Sequence, residues 1–335
     1  MSSATPWIVT AAEVQETVDI GTAVASARQA FLALADGTVR SPAPWHLDAD
    51  GGAVHVKGAV VDELPTFAVK ASSGFPGNTT RGLPTSDGHT TVFDAETGTV
   101  LALVLDGGYL TELRTGAAGA VVLDLLTPAQ LDTIAFIGTG GQIRHQIAGA
   151  LHVRTPERIT LIGRTRERTD RLAGWVRDRY DIHVDVRELS DASIDAAAII
   201  TATTATSPVL RPHQVRPGAH ITAVGSDGPG KRELDPDLVL RADVIAVDDL
   251  DQSRRLGELQ DITEHQLTAV ARRGNRLGTI GDLLRTGAPA WHDTRVSVAD
   301  LTGTGAQDAT IAHHLIQRLQ DGAAPNRRSK APSAR

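Results

Sequence analysis

Two rhythms of apolar and polar positions divide the chain. In the first, Ala23, Ala27, Ala30, Phe31 and Leu34 recur at helical spacing, predicting one helix over residues 11–36 that stops at Gly37. Short strand-like runs follow at 53–61 and 66–71, parted by Asp62-Glu63-Leu64-Pro65, and at 90–94 and Val100–Leu105, parted by Glu96-Thr97-Gly98. Residues 110–126, rich in Ala, Val and Leu, then read as a helix. From about residue 132 the rhythm changes. Apolar runs at Thr133–Ile137, 158–162, 182–188, 197–201, 220–224 and 244–248 alternate with helical patterns such as 166–180. Continuous apolar strands predict a parallel sheet covered on both faces. The expected fold class is therefore α/β, a doubly wound Rossmann sheet beside a mixed antiparallel α+β domain. A helical pattern at 307–320 is expected to return to the first domain. The predicted domains are 1–125 with 306–325, then 126–305. A Pro-, Ala-, Ser- and Arg-rich tail over 326–335 reads as disordered.

The stretch Ile134-Ala-Phe-Ile-Gly-Thr-Gly-Gly-Gln-Ile143 carries the most information. An apolar strand runs into glycines, and a helical segment over 142–151 follows. That is the opening of a dinucleotide-binding unit, although Ile143 replaces the usual third small residue. Gly138 and Gly140 would let backbone approach a pyrophosphate, and Thr139, Gly141, Gln142 and Ile143 open the helix whose N-terminus favours an anion. The bland alternative is a turn that only joins strand to helix. The next strand ends in Gly163-Arg164-Thr165-Arg166-Glu167-Arg168, with no acid for the ribose hydroxyls. Arg164 and Thr165, with Arg168 as a weaker candidate, suit a 2′-phosphate, so NADP(H) is preferred and NAD(H) remains possible. A solvated helix start is the competing reading of these arginines.

Composition narrows the classes. The chain has 335 residues, long for a single core. Apolar content of 41% and charge of 22% suit a soluble globular protein, and a net charge of −7 argues against nucleic-acid binding. There is no cysteine, hence no disulfide framework or thiolate chemistry. No apolar run approaches the roughly 20 residues that span a bilayer. The start of the chain lacks a secretory pattern, so no membrane partner and a cytoplasmic location are expected. His313 and His314 are adjacent on a helix and point apart, so no metal site is expected. No Gly-x-Ser-x-Gly elbow supports a hydrolase.

Three segments look chemical. Lys70 lies inside an apolar strand, where a lysine is seldom buried without a partner. Arg114 opens a helix of small and apolar residues. Asp227 follows an apolar strand and so lies at the carboxyl edge of the sheet, where this fold class binds ligands.

Lys70 with Gly82-Leu-Pro-Thr85, Thr97-Gly98, Leu110-Thr111-x-x-Arg114-Thr115, Gly138-Thr-Gly-x-Gln142 and Gly225-Ser-Asp227-x-Pro-Gly-Lys231-x-Glu233-Leu234 together resemble the ornithine cyclodeaminase/mu-crystallin family. The resemblance covers roughly residues 10 to 320. It implies a homodimer, with the antiparallel domain serving dimerisation and substrate, and a Rossmann domain holding NAD(P). It implies that Lys70 and Arg114 take the substrate carboxylate, that Asp227 is the acid/base, and that Thr85 frames the pocket. Thr115, Val224, Ser226 and Gly303 would line the cofactor, the last from a loop over the nicotinamide. A further carboxylate-binding arginine common in the family has no match here. Arg40 comes too early, which leaves His46 as a substitute. In diamine-cyclising members an acidic residue precedes the lysine and holds the distal amine. The matching position, thirteen before Lys70, is Lys57, which would repel an ammonium and attract a second carboxylate. The alternative for Lys57 is a strand-edge lysine in solvent.

The resemblance thus points to a reductase of small α-imino acids, or of α-keto acids plus an amine, including dicarboxylic ones such as iminosuccinate. Read in reverse it is an amino acid dehydrogenase. An ornithine or lysine cyclodeaminase using catalytic NAD, and a non-catalytic NADP(H)-binding protein, are the alternatives.

Overall fold

The computed structural model describes residues 5–190, 192–272, 276–288, 292 and 294–322. The predicted tail at 326–335 lies outside them. The chain divides into two compact units. Unit 1 is Met1–Ala30, Gly37–Thr111 and Gly305–Arg335, and unit 2 is Phe31–Asp36 and Glu112–Thr304.

Unit 1 is built on a seven-stranded sheet of β1 (Trp7–Thr10), β2 (Val39–Arg40), β3 (Trp45–Ala49), β4 (Gly52–Val61), β5 (Thr66–Gly74), β6 (Ser86–Asp94) and β7 (Val100–Leu105). The order is β1-β7-β6-β5-β4-β2, with β3 also on β4. Only the β1–β7 pair is parallel. Period-2 alternation gives this sheet two faces. One face carries Val9, Val104, Thr90 and Lys70, all buried, and meets the C-terminal helix Gly305–Gly322. The other carries the exposed Ile8 and Val69. The single helix expected over 11–36 is two, Ala11–Thr17 and Ile20–Ala35. Thr10 caps the first in a capping box with Glu13, Val18 leaves it in extended conformation, and Asp19 accepts from the amide of Thr22 at 2.7 Å to start the second. Local capping chemistry overrode a continuous apolar stripe.

Unit 2 holds the expected doubly wound sheet. Its strands are β8 (Thr133–Ile137), β9 (Arg158–Gly163), β10 (His183–Glu188), β11 (Ala198–Thr201), β12 (Thr206–Leu210), β13 (His220–Ala223), β14 (Arg232–Leu234), β15 (Val244–Val247), β16 (Arg276–Thr279) and β17 (Ser297–Asp300). Eight of them form a parallel sheet in the order β10-β9-β8-β11-β13-β17-β15-β16, while β12 and β14 pair apart. The order reverses between β8 and β11, the place where such sheets bind nucleotides. The central strands are buried throughout, and Ile137, Ile199, Ile221, Ile245 and Val298 share one core cluster. Because all eight strands run the same way, the loops after β8, β9, β13, β15 and β17 emerge at one edge.

Candidate functional site

In unit 2 the chain leaves β8 through Gly138, at φ +127°, where a Cβ would lie 2.5 Å from the carbonyl oxygen of Ala202. Only glycine fits both demands. Gly140 caps the helix Gly141–Val153 with no side-chain bond to its first turn and with open space where a Cβ would stand. The helix therefore offers backbone N–H groups and the positive end of its dipole to an anion, with a glycine cradle in front. A dinucleotide pyrophosphate fits these residues. Ile143 is fully buried and belongs to the core, which explains why a large residue stands there. Gln142 donates its side-chain amide to the carbonyl of Glu112 at 3.3 Å, and Gln146 does the same to Thr115 at 3.0 Å, so Thr115 is held by the cofactor-side helix. Glu112 pairs with His145 at 3.2 Å beside Gly141. After β9, Arg164, Thr165 and Arg168 are all exposed. Of these, Arg168 lines a pocket together with Thr139, Arg144, Arg171 and Leu172.

The loop after β13 holds Asp227, whose carboxylate accepts from Lys231 Nζ at 2.5 Å and is half exposed. Ser226 is buried, and its hydroxyl donates to the carbonyl of Lys231 at 2.9 Å, closing the loop. Below it lies Glu233, which sequence reasoning saw only as part of a motif. Its carboxylate accepts from Thr201 Oγ1 (2.7 Å) and from the amides of Thr203 (2.6 Å), Val224 (3.2 Å) and Gly225 (2.6 Å). Burial raises its pKa against the lowering effect of those donors. Glu258 in turn accepts the amides of Glu233 (2.9 Å) and Leu234 (3.0 Å), and burial pushes it up to about 7.

The loop after β17 is tied down by Asp248, which takes Thr302 Oγ1 at 2.7 Å and the amide of Gly303 at 2.6 Å. Gln252 donates to the Gly303 carbonyl at 2.8 Å. Gly303 has φ +76°, and a Cβ there would stand 2.7 Å from Nη1 of Arg114. Arg114 is itself buried. The glycine thus admits the guanidinium to the carboxyl edge of the sheet, the edge that also carries Asp227 and the phosphate loop.

In unit 1, Lys70 is 4% exposed, and its ammonium donates to Oδ1 of Asp308 at 2.8 Å and is ion-paired with that carboxylate, Oδ2 lying at 2.7 Å. Sequence reasoning missed Asp308. The signal was the lysine itself, which needed an acid on an apolar helix. Asp106 stands close enough to feel the Lys70 charge, though burial dominates and raises its pKa. It also caps the helix Tyr109–Leu126 through the amides of Gly108 (3.0 Å) and Leu110 (2.6 Å). The β4–β5 register sets Lys57 directly opposite Lys70. Lys57 is half-buried on an inner strand, so it is not a strand-edge lysine in solvent. His46 on β3 is exposed, with Nδ1 3.1 Å from His55 and Nε2 2.8 Å from Asp48. Both of its ring nitrogens have neighbours within the sheet. Thr85 is exposed at the start of β6, its carbonyl accepting from the amide of Phe75 at 2.7 Å. Among the described residues, no group of three or more acids and histidines could hold a metal, and no helix is long and apolar enough to cross a membrane.

A model of the ornithine cyclodeaminase/mu-crystallin family matches residues 5–323. An uncharacterized cyclodeaminase of Sinorhizobium fredii is 35% identical, over 95% of this chain and 97% of that one. The iminosuccinate reductase of Paracoccus denitrificans is 32% identical, over 78% of this chain and 79% of that one. Among solved structures, an archaeal alanine dehydrogenase dimer with bound NAD superposes with a TM-score of 0.84 at 26% identity, covering 95% of this chain and 97% of that one.

Proposed function

Because the chain belongs to the ornithine cyclodeaminase/mu-crystallin family, we propose that it is an NAD(P)H-dependent reductase of small α-imino acids, with a dicarboxylic imine such as iminosuccinate as the favoured substrate. The observation that carries the substrate class is the cross-strand pair Lys57–Lys70. Two ammonium groups on neighbouring strands of one face favour two carboxylates and oppose a diamine. The iminosuccinate reductase relative agrees with this reading, whereas the diamine of a cyclodeaminase would place an ammonium against Lys57.

The residues divide the work. In unit 2 Arg114 offers a planar fork suited to a carboxylate, and in unit 1 Lys70, held in place by Asp308, offers a point charge suited to a carboxylate. Lys57 takes the distal carboxylate. Asp227, ion-paired with Lys231, keeps the imine nitrogen protonated, which makes the imine carbon electrophilic, and accepts that proton in reverse. When bound, the reduced nicotinamide supplies the hydride that this carbon accepts. Gly138, Thr139, Gly140 and Gly141 cradle the pyrophosphate, and the absence of an acid at the end of β9 favours NADPH over NADH. The exposed apolar Ile8, Val69 and Leu105 of unit 1 suit burial against a second copy of the chain in a homodimer.

The test is absorbance of NADPH and NADH with a panel of keto acids and ammonia, oxaloacetate and pyruvate among them, and with ornithine and NAD⁺. Net cofactor oxidation greatest with oxaloacetate and ammonia is expected. Ammonia release from ornithine with no net change in cofactor would replace this reading by cyclodeamination.

A further inference from the structure

The helix that brings Asp308 to Lys70 also lines a cavity nearer its end, which the reaction leaves unused. Ten positions beyond Asp308, about 15 Å along the helix Gly305–Gly322, Arg318 lines it together with His314, Gln317 and Asp321. These four recur at helical spacing and so share one side. The facing wall includes Glu16 from the helix Ala11–Thr17 and Thr22 from the helix Ile20–Ala35. The whole lining lies within unit 1. The walls are tied together: Ser26 Oγ donates to Thr310 Oγ1 at 3.0 Å, and His314 Nε2 lies 3.0 Å from Gln29 Oε1. The break at Val18 that splits the two N-terminal helices leaves Glu16 close to the start of the second. The cavity measures about 790 Å³, the size of a small-molecule site.

The lining holds charges of both signs that do not meet. Arg318 Nη2 donates to Thr22 Oγ1 at 2.5 Å, which occupies one of the five donors of its guanidinium. Among the described residues Arg318 pairs with no carboxylate, and neither Glu16 nor Asp321 pairs with a cation. Exposed arginines elsewhere in the chain find an acid, as Arg166 does in Asp170 at 2.9 Å. Both acids also stand in the last turn of their helices, where neither helix has a basic residue. The negative end of a helix dipole disfavours a carboxylate, so a cation bound there is favoured by charge and by dipole alike. His314 does not supply that cation, because burial and then the charge of Arg318 lower its pKa. Arg318 is left to take an anion, with the amide of Gln317 in the same lining.

We propose that this cavity binds a small α-amino acid as a zwitterion. Its carboxylate takes the Arg318 guanidinium and the Gln317 amide, and its ammonium, with three donors, takes Glu16 and Asp321. Ligands of one sign fit less well. A plain carboxylate would meet the two acids, and a plain amine would meet the guanidinium. The site goes beyond the proposed reaction and does not depend on it. The amino acid which that reaction forms is of the same chemical class, so unit 1 offers it a second place, apart from Lys70.

Equilibrium dialysis of radiolabelled L-alanine against the full chain tests it. Arg318→Gln should weaken one alanine site per chain by at least about tenfold, the worth of a lost charged hydrogen bond. Glu16→Gln combined with Asp321→Asn should do the same. Arg166→Gln, whose side chain pairs with Asp170 in unit 2, should bind alanine as the unaltered protein does. A folded Arg114→Gln protein should keep the alanine that depends on Arg318. Propionate and ethylamine, each carrying one of the two charges, should displace that alanine at least about tenfold less well than unlabelled alanine does. Alanine binding that is the same in the unaltered protein and in Arg318→Gln overturns the proposal. Arg318 is exposed, so folding of this variant is not in question. Displacement by propionate or ethylamine as effective as by alanine overturns it too, and so does loss of all alanine binding in folded Arg114→Gln. A protein that lacks reductase activity yet keeps its Arg318-dependent alanine would sink the proposed reaction alone.

Discussion

Replacing Lys57 by methionine keeps the unbranched stem and removes the charge. The β4–β5 register places its Cβ about 5 Å from that of Lys70, because the two residues are direct cross-strand neighbours. A four-carbon dicarboxylate held at Lys70 by one end therefore brings its other end within reach of Lys57. A contact near 4 Å at an effective dielectric of 20 amounts to about 4 kcal/mol. Lys57 is only half-buried, and solvent screening cuts that to about 1–2 kcal/mol. At about 1.4 kcal/mol per decade this is a five- to thirtyfold effect, roughly. Lys57→Met should thus lower kcat/KM for the imine of oxaloacetate by about that factor, chiefly through KM, because the contact is made in ground and transition states alike. The imine of pyruvate has no second carboxylate, so its kcat/KM should move by less than about threefold. Thermal stability should hold or rise, since a like-charge neighbour of Lys70 is removed. An unchanged KM for the dicarboxylic imine, or an equal loss with both substrates, refutes the reasoning.

Other consequences can be checked directly. Asp308→Ala should lower unfolding free energy by about 3–5 kcal/mol in urea melts, because it strands a buried ammonium, while the double change Lys70→Met with Asp308→Leu should cost less than the sum of the single changes. Strict additivity would show that the pair is not coupled. Gly138→Ala should abolish dinucleotide binding measured by fluorescence titration, since it meets both a positive φ and the Ala202 carbonyl, and retained binding would remove that loop from the cofactor site. His220 is fully buried between Ser297 and Thr222, and burial lowers its pKa from 6.5 to about 3. The unfolded chain takes up a proton below 6.5 and the fold does not, so this group's contribution is full above 6.5 and falls by about 2 kcal/mol at pH 5. The stability gap between the protein and His220→Gln should therefore narrow by about that amount from pH 7.5 to pH 5, and a pH-independent gap would contradict it.

Where an element's reason for forming is local and apolar, the sequence made it legible. β8 and β7 match their expected spans residue for residue, because each is a short, nearly unbroken apolar run. The turn at Gly138 was legible because a strand entering a helix there demands residues without side chains. β17 was not. Ser297-Val-Ala-Asp300 is not among the expected strands, yet it lies between β13 and β15 in the middle of the sheet. Its polar ends are tolerated because His220 takes Ser297 and because Asp300 accepts the amide of Glu258 at 2.9 Å and the hydroxyl of Ser253. Such pairings are long-range, and no window of sequence reveals them. The same holds for Lys70 and Asp308, 238 positions apart. The lysine announced that it needed a partner, but nothing local named it.

Buried acids tie the carboxyl edge of the parallel sheet together. Glu233 gathers the ends of β11 and β13, Glu258 the strand β14, Asp300 the turn before Glu258, and Asp248 the loop that admits Arg114. Backbone N–H groups at strand ends need acceptors, and a carboxylate satisfies two at once, so these acids fix the loops that carry Asp227 and Gly303. Burial raises the pKa values of Glu233, Glu258 and Asp300, with Asp300 well above its usual value and Glu258 at about 7. A raised acid contributes stability that is complete below its unfolded value of 4.5 and is lost as pH climbs through 7. His220, on β13 of the same sheet, does the reverse, losing stability as pH falls from 6.5 toward 3. Between about 4.5 and 6.5 the Glu258 and His220 slopes are opposite, each about 1.4 kcal/mol per pH unit, and the raised Asp300 and Glu233 act in the same sense as Glu258. Once His220 no longer titrates, the acid linkage stands alone, and the site edge should become steadily more stable on mild acidification.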